Sequence, residues 1–248
     1  MKFTQTLKIA AFTLAAFGTM SGAQAADKAY LVGANMTFPP FEFVKDGKPA
    51  GFDMDLIAAI MKTQGAEVKF QNIPFDGLIP ALQAGTIDIA MSGMTITAER
   101  QKRVSFSEPY YDNGLVVLIR KADQGKYKTA EDLKGQLVCA QIATTGATTA
   151  KEMSGEKVRI FANGSEAIME LKNKGCEAVV HDKPVVGYYI AQRQDKEVVI
   201  LPGQLTSEQT GAAVAKDNKE LLKMVNDGLA AVKANGEYDR LYKKWFGE

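Results

Sequence analysis

The chain has a single histidine, His181, and it adjoins Asp182, the pairing from which acid–base or nucleophilic chemistry is usually built. No nucleophile accompanies the pair in its neighbourhood, so triad and metal logic have little to build on. No glycine loop of the P-loop or dinucleotide kind is present to cradle phosphate. The other candidates bind rather than react. Arg100, in the run Glu99-Arg100-Gln101-Lys102-Arg103, carries a rigid donor fork that suits a carboxylate. Asn35, Ser92, Gly93, Thr95, Gln141, Thr144 and Thr145 supply amides, hydroxyls and close backbone, and Phe38 and Phe75 supply apolar faces. The set fits a small polar ligand with an apolar middle, and the expectation is binding without catalysis.

These residues belong at the ends of strands. Tyr30 to Ala34 reads as a buried strand. Met54, Leu56, Ile57, Ile60 and Met61 then recur at helical spacing, from Asp53 as the cap to Gly65 as the stop. Val68 to Ile73 and Ile87 to Met91 are further strands around a helix over Gly77 to Ala84. The rhythm returns with strands at 115–120, 135–141, 158–161 and 177–181, a helix over 146–154, and a helix opened by an Asn163/Glu166 capping box and closed at Gly175. Alternating strand and helix implies two α/β halves with parallel sheets and right-handed crossovers. Ligands of such sheets sit beyond the carboxyl ends of the strands, where the candidate residues fall. Ser207 to Val214 is extended. Leu221 to Trp245 is helical with a break at Asn235-Gly236, and this tail should pack back on the first half. The chain would then cross between halves twice, near Tyr110–Gly114 and near Thr206–Gly211, and the paired crossings make a hinge.

Residues 1–25 read as a secretory signal peptide. Lys2 and Lys8 precede an apolar stretch from Ile9 to Phe17, and Ala23-Gln24-Ala25 is a small-x-small cleavage site. Losing the two lysines takes the formal charge from +1 to −1. A near-neutral chain with interspersed charges offers no footprint for nucleic acid or anionic lipid. Cys139 and Cys176 fit an oxidising compartment and allow one disulfide. The mid-strand place of Cys139 nevertheless favours two buried thiols.

Phe38-Pro39-Pro40-Phe41-Glu42-Phe43 followed by Gly51-Phe52-Asp53-Met54-Asp55-Leu56 resembles the opening of the family 3 periplasmic solute-binding proteins for polar amino acids. Further stretches resemble the same family: 75–82, Ser92 to Arg100, Phe106 to Tyr111, and 235–247. The resemblance runs over residues 29–247 in order. It implies a two-lobed type II periplasmic binding fold, each lobe a mainly parallel sheet flanked by helices, with residues 26–110 and 210–248 in lobe one and 111–209 in lobe two. It also implies an exported periplasmic monomer without cofactor, which hands an amino acid to the membrane permease of an ABC importer.

Carried over residue by residue, the family site has Arg100 on the ligand α-carboxylate. Asp182 takes the α-ammonium with backbone at Ser92 or Gly93 and the Thr95 hydroxyl. Thr145 and Gly146 offer a helix N-terminus to the carboxylate, and Phe38 and Phe75 sandwich the aliphatic part. The His181-Asp182 pair is similar to that of the family's glutamine binders. Asn35 and Gln141 stand where those binders carry an acid and a lysine. Two neutral amides argue for a neutral side chain, glutamine first, then asparagine or another uncharged polar amino acid. Trp245, Tyr110 and Tyr111 are packing and hinge residues. The rival is an exported enzyme of similar fold such as cyclohexadienyl dehydratase, against which stands the lack of a second cleft acid. A signalling domain shed from a sensor is a weaker third reading.

Overall fold

The structure, a computed structural model, describes residues 29–247, so the expected signal peptide and its expected cleavage after Ala25 lie outside the described residues. In the first lobe the strand Ala29–Ala34 runs parallel to Glu67–Asn72 on one side and to Ile89–Ala90 on the other. Ala213–Ala215 then joins antiparallel between Ile89–Ala90 and Val104–Phe106. Both faces of this sheet are covered, as a largely parallel sheet requires. Tyr30, Val32, Ile89 and Val214 pack under the helices Phe52–Thr63, Lys219–Ala234 and Glu237–Phe246. Ala90, Val104 and Ala213 pack under the short helix Leu78–Gln83. The break between the last two long helices is at Gly236, with φ of 78°. Trp245 Nε1 and Lys244 Nζ both donate to Asp55 Oδ2, at 2.8 and 2.7 Å, which ties the tail to the first long helix.

The second lobe repeats the plan. Val138–Gln141 lies between Val158–Phe161 and Ala178–Asp182, all parallel, and Leu115–Arg120 and Val198–Ile200 complete the sheet antiparallel. One face is covered by helix Thr145–Ser154, the other by Gly164–Lys172 and Lys183–Arg193. The Asn163/Glu166 capping box forms. Its helix ends at Lys172 rather than Gly175, and Lys174 takes the left-handed turn with φ of 64°. Between the lobes, Tyr111–Asn113 pairs antiparallel with Glu208–Thr210. Among the described residues no helix is long and apolar enough to cross a membrane.

Two expectations are overturned. Asp53 does not cap its helix. The helix starts at Phe52 after Gly51, because the Phe52 and Asp53 N–H groups find the carbonyls of Pro40 and Phe41, each at 2.9 Å. Backbone has taken the role a side-chain cap plays. Gly51, with φ of 129°, is required there, since a Cβ would stand 2.1 Å from the Phe41 carbonyl oxygen. Cys139 and Cys176 are not free thiols but a disulfide with a Cα–Cα distance of 6.1 Å. Cys139 is mid-strand, but its partner lies outside the ladder, on the turn entering the next strand. Arg120 holds that turn by donating from Nη1 to the Leu171 and Cys176 carbonyls.

Candidate functional site

Arg100 sits in the short helix Ala98–Gln101, capped by Thr97, whose hydroxyl accepts from the Arg100 N–H at 3.2 Å. Its guanidinium donates to one carbonyl of each lobe, Thr95 at 2.7 Å and Ala143 at 2.9 Å, and lies 5.3 Å from the centre of the Phe75 ring. Among the described residues it forms no salt bridge within 4 Å. Burial pulls its pKa down from the ordinary value, and the negative fields of Glu208 and then Asp182 oppose that pull.

Opposite Arg100 the strand Val138–Gln141 ends in a turn, with Ala143 at φ of 59°. The Thr144 hydroxyl then accepts from Ala147 N–H at 3.1 Å and starts the helix Thr145–Ser154. Arg100, Phe75, Thr144, Thr145 and Glu208 line one cavity of about 500 Å³ between the lobes. The N-terminus of a ten-residue helix and the Arg100 guanidinium, which has no ion-pair partner within 4 Å among the described residues, line that cavity beside the Glu208 carboxylate, so donors for an anion and an acid stand together.

The remaining predicted residues do not line that cavity; they meet along the seam beside it. Gln141 Nε2 donates to Asn35 Oδ1 at 3.1 Å, joining the lobes through two buried amides. The Phe38 and His181 rings stack across the same seam with centres 5.4 Å apart. Phe38 also covers Gly93, where φ is 53° and a Cβ would lie 2.8 Å from the Phe38 ring. The expected sandwich of one ligand between Phe38 and Phe75 is therefore not formed by the two rings here. Phe75 faces Arg100, and Phe38 faces His181. Asp182 ends its strand nearly buried, accepting from Asn113 Nδ2, while its backbone N–H donates to His181 Nδ1 at 2.8 Å.

Ser92 and Gly93 are held from beneath by two carboxyls. The Ser92 hydroxyl donates to Glu42 at 2.7 Å and accepts from the Asn35 N–H at 3.0 Å. The Gly93 N–H and the Tyr110 hydroxyl both donate to Asp53 Oδ2, at 2.8 and 2.7 Å. Burial raises Glu42 well above the usual carboxylate range, and the neighbouring Asp53 raises it further. Burial also pushes Asp53 up to about 6, against the hydrogen bonds from Gly93 and Tyr110. Glu42 Oε2 and Asp53 Oδ1 are both buried without a hydrogen-bond partner, so two carboxyls share one water-poor site.

Sequence reasoning missed Glu208 and Asn113. They face each other in the two-stranded connection, and both grip site residues. Glu208 accepts from the hydroxyls of Thr95, Thr145 and Thr206 at 2.8, 2.9 and 3.0 Å. The available signal was their place in the two crossings, where the backbone necessarily borders the gap between lobes. Among the described residues no cluster of three or more His, Cys, Asp or Glu could hold a metal ion.

The bacterial extracellular solute-binding proteins, family 3, match residues 30–248. The chain belongs to that family. An "ABC transporter arginine-binding protein 1" of Escherichia coli K12 is 37% identical over 91% of this chain and 93% of its own length. A "Probable histidine-binding protein" of Neisseria gonorrhoeae is 37% identical over 89% and 84%. An ancestral arginine-binding protein, solved with arginine and with glutamine, is 44% identical with TM-scores of 0.83 and 0.84, covering 88% and 89% of this chain and 98% of its own. These relatives are named as binding proteins, not enzymes, and the mixed α/β lobes described above are the family's fold.

Proposed function

We propose that the chain captures a polar L-amino acid outside the cytoplasm and delivers it, as a monomer, to an ABC importer. The observation that carries this reading is the half-buried Arg100 guanidinium. It has no ion-pair partner among the described residues, and with the start of a helix it lines a cavity of about 500 Å³. A ligand α-carboxylate completes that fork, and Asp182, on the other lobe, takes the α-ammonium with Thr95. The ligand favours the closed form because the two contacts are made together only when the lobes meet.

For the side chain, the Asn35–Gln141 amide pair supports an uncharged partner, glutamine first. Arginine is the second reading, on the names of the relatives. The deciding experiment is isothermal titration of ligand-stripped protein against the twenty amino acids, which should single out a polar one. Arg100→Ala should weaken that binding at least about 100-fold, in line with the loss of one partner of a buried charge pair. Affinity retained within about threefold would refute the site.

A further inference from the structure

Glu208 belongs to neither lobe's sheet, yet its carboxylate collects three hydroxyls from three different places. Two of the three sit on segments bound to the connecting strand. Thr95 neighbours Ile96, whose N–H donates to the Gln209 carbonyl at 2.8 Å, and Thr95 itself bridges to Thr210. Thr206 is two residues away in the same segment, and its hydroxyl accepts from Leu115 N–H at 3.1 Å. Leu115 opens the second lobe's sheet, so Thr206 is held on that side, while Thr95 belongs to the first lobe. Thr145 begins the second-lobe helix Thr145–Ser154, and none of the backbone hydrogen bonds described ties that helix to Glu208–Thr210. Glu208 Oε2 thus accepts at once from Thr95 of the first lobe, at 2.8 Å, and from Thr145 of the second, at 2.9 Å, so one of the two bonds spans the gap whichever lobe the connecting strand follows.

We propose that Glu208 is a positioning residue that latches the two lobes in the closed arrangement by gripping Thr95 of the first and Thr145, at the start of a second-lobe helix, at once, while Thr206 holds the carboxylate in place. A carboxylate at a helix N-terminus is stabilised by the helix dipole, and a hydroxyl bonded to an ionised group is a strong contact. Glu208 does not occupy the Arg100 fork, since no ion pair joins them within 4 Å. It therefore supports ligand capture rather than competing with it. The latch rests on the binding reading only for its effect on ligand; its effect on closure does not.

The test uses both readouts. Dyes placed on the full chain through Val44→Cys and Met169→Cys, two exposed positions in different lobes, report lobe separation by single-molecule energy transfer without ligand. Glu208→Ala should shift the population toward longer distances, and Glu208→Gln, which keeps one acceptor, should lie between. Stopped-flow binding of L-glutamine, with L-arginine and L-histidine in parallel, should show dissociation about tenfold faster in Glu208→Ala and association within about twofold of wild type. Thr145→Val should reproduce the faster dissociation, and the double variant should add little more. An unchanged distance distribution, tighter ligand binding, or fully additive effects in the double variant would each overturn the latch. If wild type bound none of the three while the distances shifted as expected, the latch would stand and the ligand assignment would fall.

Discussion

Asp53→Asn isolates the buried carboxyl pair beneath the Ser92–Gly93 loop. Burial holds Asp53 at about 6 in the folded chain against an ordinary value of 3.8, and each tenfold difference in proton affinity corresponds to 1.36 kcal/mol. Because the folded value is raised, the folded state binds the proton more tightly than the unfolded chain does. That contribution is fully present below pH 3.8 and is lost as pH rises through about 6. Ionisation of this one group should therefore cost the fold about 2 kcal/mol between pH 4 and pH 7. The asparagine can accept from Gly93 N–H and Tyr110 hydroxyl through its carbonyl and donate toward Glu42 through its amide, so the loop keeps its supports. Other groups slope the opposite way. Lys102 holds Glu99 below the usual carboxylate range, and the N–H groups of Lys128 and Thr129 do the same for Asp132. Those contributions cancel in the difference between the two proteins. Urea unfolding at pH 4, 5, 6 and 7 should show wild type losing about 2 kcal/mol relative to the variant across the range. A difference that stays level within about 0.5 kcal/mol would refute the buried-pair reasoning.

Asp182→Asn should weaken amino-acid binding by at least about tenfold while leaving the melting temperature of the ligand-free protein within a few degrees, as titration calorimetry and a thermal melt would show. Cys139→Ser opens a disulfide spanning 37 residues and should cost about 4 kcal/mol of stability in urea unfolding, the chain-entropy expectation for a loop of that size. Gly51→Ala should cost more than about 3 kcal/mol, because the added methyl meets the Phe41 carbonyl at a left-handed position; soluble protein with a wild-type unfolding midpoint would count against it.

The two α/β halves were legible because each strand and helix carries its own period. Leu115–Arg120 and Val158–Phe161 are found where their apolar runs placed them. Local signals failed where distant backbone intervened. Asp53 has the chemistry of a cap, but the Pro40 and Phe41 carbonyls, twelve residues upstream, reach the helix end first. The disulfide escaped for the same kind of reason, since the turn at Cys176 is set by Arg120, far away in sequence. In the site, charge and family spacing pointed to Arg100 and Asp182. The partition between a cavity at Arg100 and a seam at Asn35, Gln141, Phe38 and His181 depends on how the lobes meet, which no single segment encodes. Glu208 and Asn113 were hidden because connecting strands carry no pattern that marks a side chain as facing a gap.

The strand Ala213–Ala215 occupies an interior place between two partners supplied more than a hundred residues earlier. The N-terminal sheet consequently stays unfinished, with Ile89–Ala90 and Val104–Phe106 apart, until nearly the whole polypeptide is available. Residues 115–200, by contrast, hold every strand of their own sheet in one uninterrupted stretch. During vectorial emergence the later-encoded half can mature first, and the earlier-encoded half must wait for the chain to return to it.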